Sequence, residues 1–100
     1  MSDEPKPAFV IFYVDHITDP RALDPYKAAA HKTIQAHKGA IVIGYGQQEV
    51  VEGDDMVGVV MTRFPSYAAA QAWYHSPEYG EAKKLREGLT TCRTVIVEGR

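Results

Sequence analysis

Ala8-Phe9-Val10-Ile11-Phe12-Tyr13-Val14-Asp15-His16-Ile17 is the stretch whose chemistry decides the fold. Aromatic and β-branched residues dominate it, which is the composition of a strand. Side chains alternate along a strand, so Val10, Phe12 and Val14 point one way while Phe9, Ile11 and Tyr13 point the other. Both sides are apolar. An antiparallel strand with one face in water shows a polar side, so this one asks for cover front and back.

Working outward, Thr18-Asp19-Pro20 stops the strand with a turn. Asp24-Pro25 predicts the start of a first helix, with Asp24 as N-cap and Pro25 where its missing N–H costs nothing. A start at Asp19-Pro20 is the alternative, and it would strain Pro25 in the second turn. At about 100° per residue, Tyr26, Ala29, Ala30, Thr33, Ile34 and His37 share one helical face. Lys27, His31, Gln35 and Lys38 share the opposite one, and Gly39 is expected at the C′ position. Ala40 to Ile43 reads as a second strand, loosened at Gly44-Tyr45-Gly46, with Gln47 to Glu52 able to continue it. Gly53-Asp54-Asp55 is a turn, and Met56 to Phe64 a third strand. Ser66 caps a helix through Tyr74, and Ser76-Pro77 repeats the signal for a further one. That last helix should turn Tyr79, Ala82, Leu85, Arg86 and Leu89 inward and end near Gly88. Cys92 to Glu98 is the last strand.

The order βαββαβ describes an α+β ferredoxin-like sandwich, an antiparallel sheet with the helices on one face. Its other face should be polar in a monomer. Yet Val57, Val59 and Met61 oppose Met56 and Val60, and Val95 and Val97 oppose Ile96. The simplest cover is a second copy packed sheet to sheet, so a homodimer through the open face is expected. Residues 1–7, with two prolines and three charges, are too few and too polar to serve, and read as a flexible N-terminal arm before one domain over 8–100.

Composition narrows the function classes. One hundred residues and 11.1 kDa make one domain, and 45% hydrophobic with 24% charged residues argue for globular order. Eleven Lys+Arg against thirteen Asp+Glu, with no basic block, make nucleic acid an unexpected partner. Cys92 is alone, so no intrachain disulfide forms. No apolar run approaches the roughly 20 residues of a membrane span, and the first residues are acidic, unlike a signal peptide. A cytoplasmic protein without membrane partners is expected. His16, His31, His37 and His75 have no metal-ligand spacing, so no metal is expected. Gly44-Tyr45-Gly46 lacks the rest of a dinucleotide fingerprint and no nucleophile elbow is present, so no cofactor is expected either.

The run Trp73-Tyr74-His75-Ser76-Pro77-Glu78-Tyr79 carries a resemblance, together with Phe64-Pro65-Ser66, Glu52-Gly53-Asp54, Arg86 and the closing Val97-Glu98-Gly99. From about Phe9 to Gly99 the chain resembles the small bacterial family called domain of unknown function thirteen-thirty. The resemblance implies the dimeric α/β-barrel superfamily, in which two ferredoxin-like protomers pack their sheets into a shared barrel. Arg63 stands where family members usually carry an acidic residue, and His75 where they usually carry Asn. The family implies architecture and no general activity.

Five side chains are the candidates for ligand binding: Tyr26, His37, Trp73, Tyr79 and Arg86. His37, at the negative end of the first helix, can cap its last carbonyls or move a proton in a pocket. Tyr26, Trp73 and Tyr79, with Tyr74, can box a planar ligand or simply pack as core. Arg86 can hold a carboxylate or phenolate, pair with Asp15, Glu52 or Glu98, or reach solvent. No catalytic residue can be named. Two functions remain, a small-molecule binding or structural module with a pocket between helices and sheet, or a cofactor-free monooxygenase- or isomerase-like enzyme acting on a small aromatic or acidic compound. A third, an interaction protein using the dimer surface for another polypeptide, has no motif of its own.

Overall fold

The computed structural model describes residues 6–100, so most of the expected 1–7 arm lies outside the described residues. Strand β1 (Ala8–Ile17) is followed by a 3-10 turn (Pro20–Leu23), helix α1 (Asp24–Ala36), β2 (Ala40–Gly44), β3 (Gly58–Phe64), α2 (Tyr67–Tyr74), α3 (Pro77–Lys84) and β4 (Thr90–Glu98). The four strands form one antiparallel sheet in the order β2-β3-β1-β4. This is the α+β ferredoxin-like arrangement, with the second helical segment split in two.

Both proline signals before α1 are used. Asp19 caps the 3-10 turn, its Oδ1 accepting from the Arg21 N–H at 3.0 Å. Asp24 already has helical dihedrals and opens α1 without a side-chain cap, so its expected N-cap role is not realised. Pro25 still falls in the first turn of the new helix, which relieves the strain. At the other end the left-handed residue is Lys38, with φ 62°, rather than Gly39. Gly39 is small for a different reason: a Cβ there would lie 2.5 Å from the Phe64 ring. The Ser66 and Ser76 caps form as expected, each Oγ accepting a backbone N–H at 3.0 and 3.1 Å. Ser76 also donates to the Trp73 carbonyl at 2.8 Å, so one side chain ends α2 and begins α3.

The inner face of β1 carries Ala8, Val10, Phe12 and Val14, all buried beneath the helices. Trp73 is the centre of this core. It is 1% exposed, stacks on Phe64 at 5.2 Å and meets Phe12 edge-on at 6.3 Å. Thr62 is buried among these groups, and its hydroxyl donates to the Val10 carbonyl at 3.3 Å. Leu85, expected inward, is 45% exposed because α3 ends at Lys84 and the chain turns through Gly88 at φ 79°. The Gln47 to Glu52 segment forms no strand, and β3 begins at Gly58 rather than Met56.

On the outer face Ile11 lies between Met61 and Val95, Phe9 between Arg63 and Val97, and Tyr13 between Val59 and Arg93. Ile43 extends this surface onto β2 opposite Met61. Val95 and Val97 remain 44% and 41% exposed. Asp15 pairs with Arg93 at the strand end through two hydrogen bonds of 3.0 and 3.2 Å.

The close approach at Gly39 yields a direct check. Gly39→Ala must push the Phe64 ring or α1, and overpacking of this kind costs about 1–3 kcal/mol. Urea unfolding should show the midpoint falling with an unchanged m-value.

Candidate functional site

Helix α1 leans on α3 and the 3-10 turn more than on the sheet. A cavity of about 740 Å³ remains between α1 and the inner face of the strands. It runs from β4, where Thr90 and Cys92 line it, across β1 and β3 to Ile41 and Tyr45 at the β2 side. Phe12, Ile34, Val60 and Trp73 supply apolar wall. Lys27, His31 and Gln35, expected as a solvated face of α1, are exposed and border the cavity's outer side. Such a volume is typical of small-molecule sites.

The structure brings four of the five candidates together. Tyr26, on the first turn of α1, and Tyr79, on α3, share a hydrogen bond of 2.9 Å between their hydroxyls. Tyr79 is fully buried and packs against Trp73 at 4.2 Å between centroids. Trp73 forms part of the cavity wall, while its indole N–H donates to Thr33 Oγ1 at 2.9 Å and ties α2 to α1. Arg86 lines the cavity beside the phenols, its guanidinium 5.6 Å from the Tyr26 ring centre and 5.9 Å from that of Phe12. His37 stands apart. Its Nδ1 is 3.0 Å from the Thr33 carbonyl, a contact of the helix end, and it does not line the cavity.

Burial pushes the Tyr26 hydroxyl far up from the ordinary tyrosine value and raises Tyr79 as well; contact between the two adds to the rise at Tyr26 and opposes it at Tyr79, and the nearby Arg86 charge opposes both in part. Burial by itself would lower the Arg86 pKa; the Tyr79 hydroxyl within hydrogen-bonding range opposes that, and the guanidinium stays charged. Its partners are few. Nη1 donates to Cys92 Sγ at 3.5 Å, a weak acceptor. Nε is buried without a hydrogen-bond partner, as is Thr90 Oγ1. None of the acids considered for Arg86 reaches it, and Asp15 is held by Arg93. Among the described residues no cluster of three or more His, Cys, Asp or Glu could hold a metal.

Tyr45, Thr90 and Cys92 were not among the candidates. Tyr45 adopts φ 56°, and its ring covers Gly58, where any Cβ would collide with it. The Lys27 ammonium sits 5.7 Å above that ring. The glycines flanking Tyr45 were the available signal. Cys92 and Thr90 gave none, because inward positions on β4 look like any other strand positions.

The phenol pair has a consequence for pH. In the unfolded chain tyrosines ionise near 10, while in the folded state burial raises both Tyr26 and Tyr79 above that, Tyr26 the further. Above pH 10 the folded state therefore holds more protons, and stability falls as pH rises. Urea midpoints should decline from about pH 10 upward, and Tyr26→Phe or Tyr79→Phe should flatten that decline. Ultraviolet titration should show Tyr26 ionising only as the chain unfolds.

Arg63 and His75, the two departures from the family pattern, are exposed and lie off the cavity. Among solved structures, a protein of unknown function from Rhodopseudomonas palustris is similar at a TM-score of 0.73 and 20% identity, over 99% of this chain and 86% of that one. A dimeric protein of unknown function with a ferredoxin-like fold from Bacteroides fragilis is similar at 0.62 and 14%, over 96% and 99%. A cofactor-independent oxygenase from Streptomyces nogalater is similar at 0.55 and 13%, over 96% and 94%. These identities speak to the fold alone. A search of curated proteins finds no match to the sequence. The family model described as domain of unknown function (DUF1330) matches residues 7–100, nearly the whole chain, and the protein belongs to that family.

Proposed function

We propose that this protein is a cytoplasmic homodimer that binds a small, largely apolar organic molecule between α1 and the sheet. The observation that carries this reading is the cavity of about 740 Å³, walled largely by aromatic and aliphatic side chains of the sheet, α1 and Trp73 of α2. A core built for packing alone closes such a space, since each void forfeits contacts. Trp73 forms part of the wall, so its emission reports occupancy. Titration with small aromatic and aliphatic metabolites should give a saturable change in Trp73 fluorescence for at least one of them. Absence of any saturable change across such a set removes the reading in favour of a module without a ligand.

The dimer rests on the outer sheet face. Phe9, Ile11, Tyr13, Met61, Val95 and Val97 form an apolar surface too continuous to leave in water, and the similar Bacteroides fragilis structure is described as dimeric. The cavity lies on the opposite side of the sheet, so a ligand and a second copy do not compete. Sedimentation at micromolar concentration should give twice 11.1 kDa, and Ile11→Glu should give a single protomer. A wild-type particle of 11.1 kDa, stable and folded, overturns the dimer.

A cofactor-free enzyme is the second reading, favoured by the Tyr26–Tyr79 hydroxyl pair beside a charged guanidinium at the cavity. Such groups can hold a developing oxyanion. Consumption of a bound compound by the purified protein, lost in Tyr26→Phe, distinguishes this from binding alone.

A further inference from the structure

The apolar cavity contains one charge that the protein leaves unanswered. Arg86 sits on its wall with Nη1 on a thiol, Nε without a partner, the Tyr26 and Tyr79 hydroxyls as uncharged neighbours, and no ion pair to any described carboxylate. Among the described residues no Asp or Glu lines the cavity, although the chain as a whole carries a net charge of −2. The lining charges are all cationic, Arg86 within and Lys27 and Lys32 along α1. A half-buried guanidinium without a counter-ion is costly, and side-chain arginines in such settings are normally met by a carboxylate. The flanking Phe12 and Tyr26 rings offset part of that cost through their π faces, and they hold the group in place. Thr90 Oγ1, also unpartnered, marks the same stretch of wall as short of polar partners.

We infer that the ligand of this cavity is a carboxylic acid, bound as its monoanion, with the carboxylate against Arg86 and an apolar body lying along Trp73, Ile34 and Val60. This rests on the small-molecule reading above and adds the ligand's class. The planar fork of guanidinium donors matches a carboxylate in two parallel hydrogen bonds. Away from Arg86 the inner wall is aromatic and aliphatic, which suits an uncharged ligand body, while Lys27 and Lys32 stand on the α1 side. Tyr26 and Tyr79 remain protonated and leave the anion unopposed by phenolate charge.

The test uses four acids, benzoic, phenylacetic, 2-naphthoic and octanoic, each against its primary amide, which keeps the shape and loses the charge. Calorimetry on the wild-type dimer should show at least one acid binding about tenfold to a hundredfold tighter than its amide, the range of a charge-assisted hydrogen-bond pair. Arg86→Met should bring the acid-to-amide ratio close to one, and Arg86→Lys should keep part of the preference. The wild-type acid-to-amide ratio stands as the primary readout, so a poorly folded Arg86→Met leaves the test intact. If amides bind as tightly as their acids, the carboxylate assignment is wrong and the apolar site stands. If neither acids nor amides bind, and no neutral metabolite saturates Trp73 either, both fall together.

Discussion

The separation between the helical layer and the sheet is set by Trp73, and the cavity, the core and the placement of Arg86 all depend on it. The indole stacks on Phe64 of β3, abuts Phe12 of β1 and packs against Tyr79 of α3. Its N–H reaches across to Thr33 of α1. A single large ring therefore touches every layer and holds α1 at a fixed height. On one side of it the core is close-packed around Ala70, Tyr79 and Ala82, all nearly inaccessible. On the other side space remains between α1 and Ile41, Val60 and Thr62 of β2 and β3.

Polar groups inside this layer are handled in two ways. Thr62, Trp73 and the Tyr26–Tyr79 pair find partners within the protein, which is how buried polar atoms are ordinarily accommodated. Arg86 is different. Its neighbours are aromatic faces, two phenols and a thiol, which keep it charged without neutralising it. Arg86, which has no carboxylate partner among the described residues, lines the open side of Trp73.

The sheet separates two tasks. Its inner face meets the helices and bounds the cavity, while its outer face presents a nearly unbroken apolar surface. Because side chains alternate with a period of two, a residue serves one task or the other and not both. Changes in the outer surface therefore reach the cavity only by bending the sheet as a whole. Loops bring the exceptions, and Tyr45, at the end of β2 with a left-handed backbone, is the one that swings a ring over the cavity side.

Much of the architecture was legible in local pattern. The double-sided alternation of Ala8–Ile17, the Ser66 and Ser76 caps and the order of elements specify the layers, because each depends on neighbours within a turn or a pleat. The same locality explains the errors at Asp24, Gly39 and Leu85, where a neighbouring proline, a distant Phe64 ring and an early helix end decided the outcome. The aromatic candidates and Arg86 were visible as inward positions on helices. That His37 stays off the cavity, that Tyr26 meets a tyrosine 53 positions away, and that Arg86 finds no acid among the described residues were decided only by tertiary structure. Periodicity reports which way a side chain faces; whether the facing layer fills the space or leaves it open depends on the distance between layers, which no local pattern records.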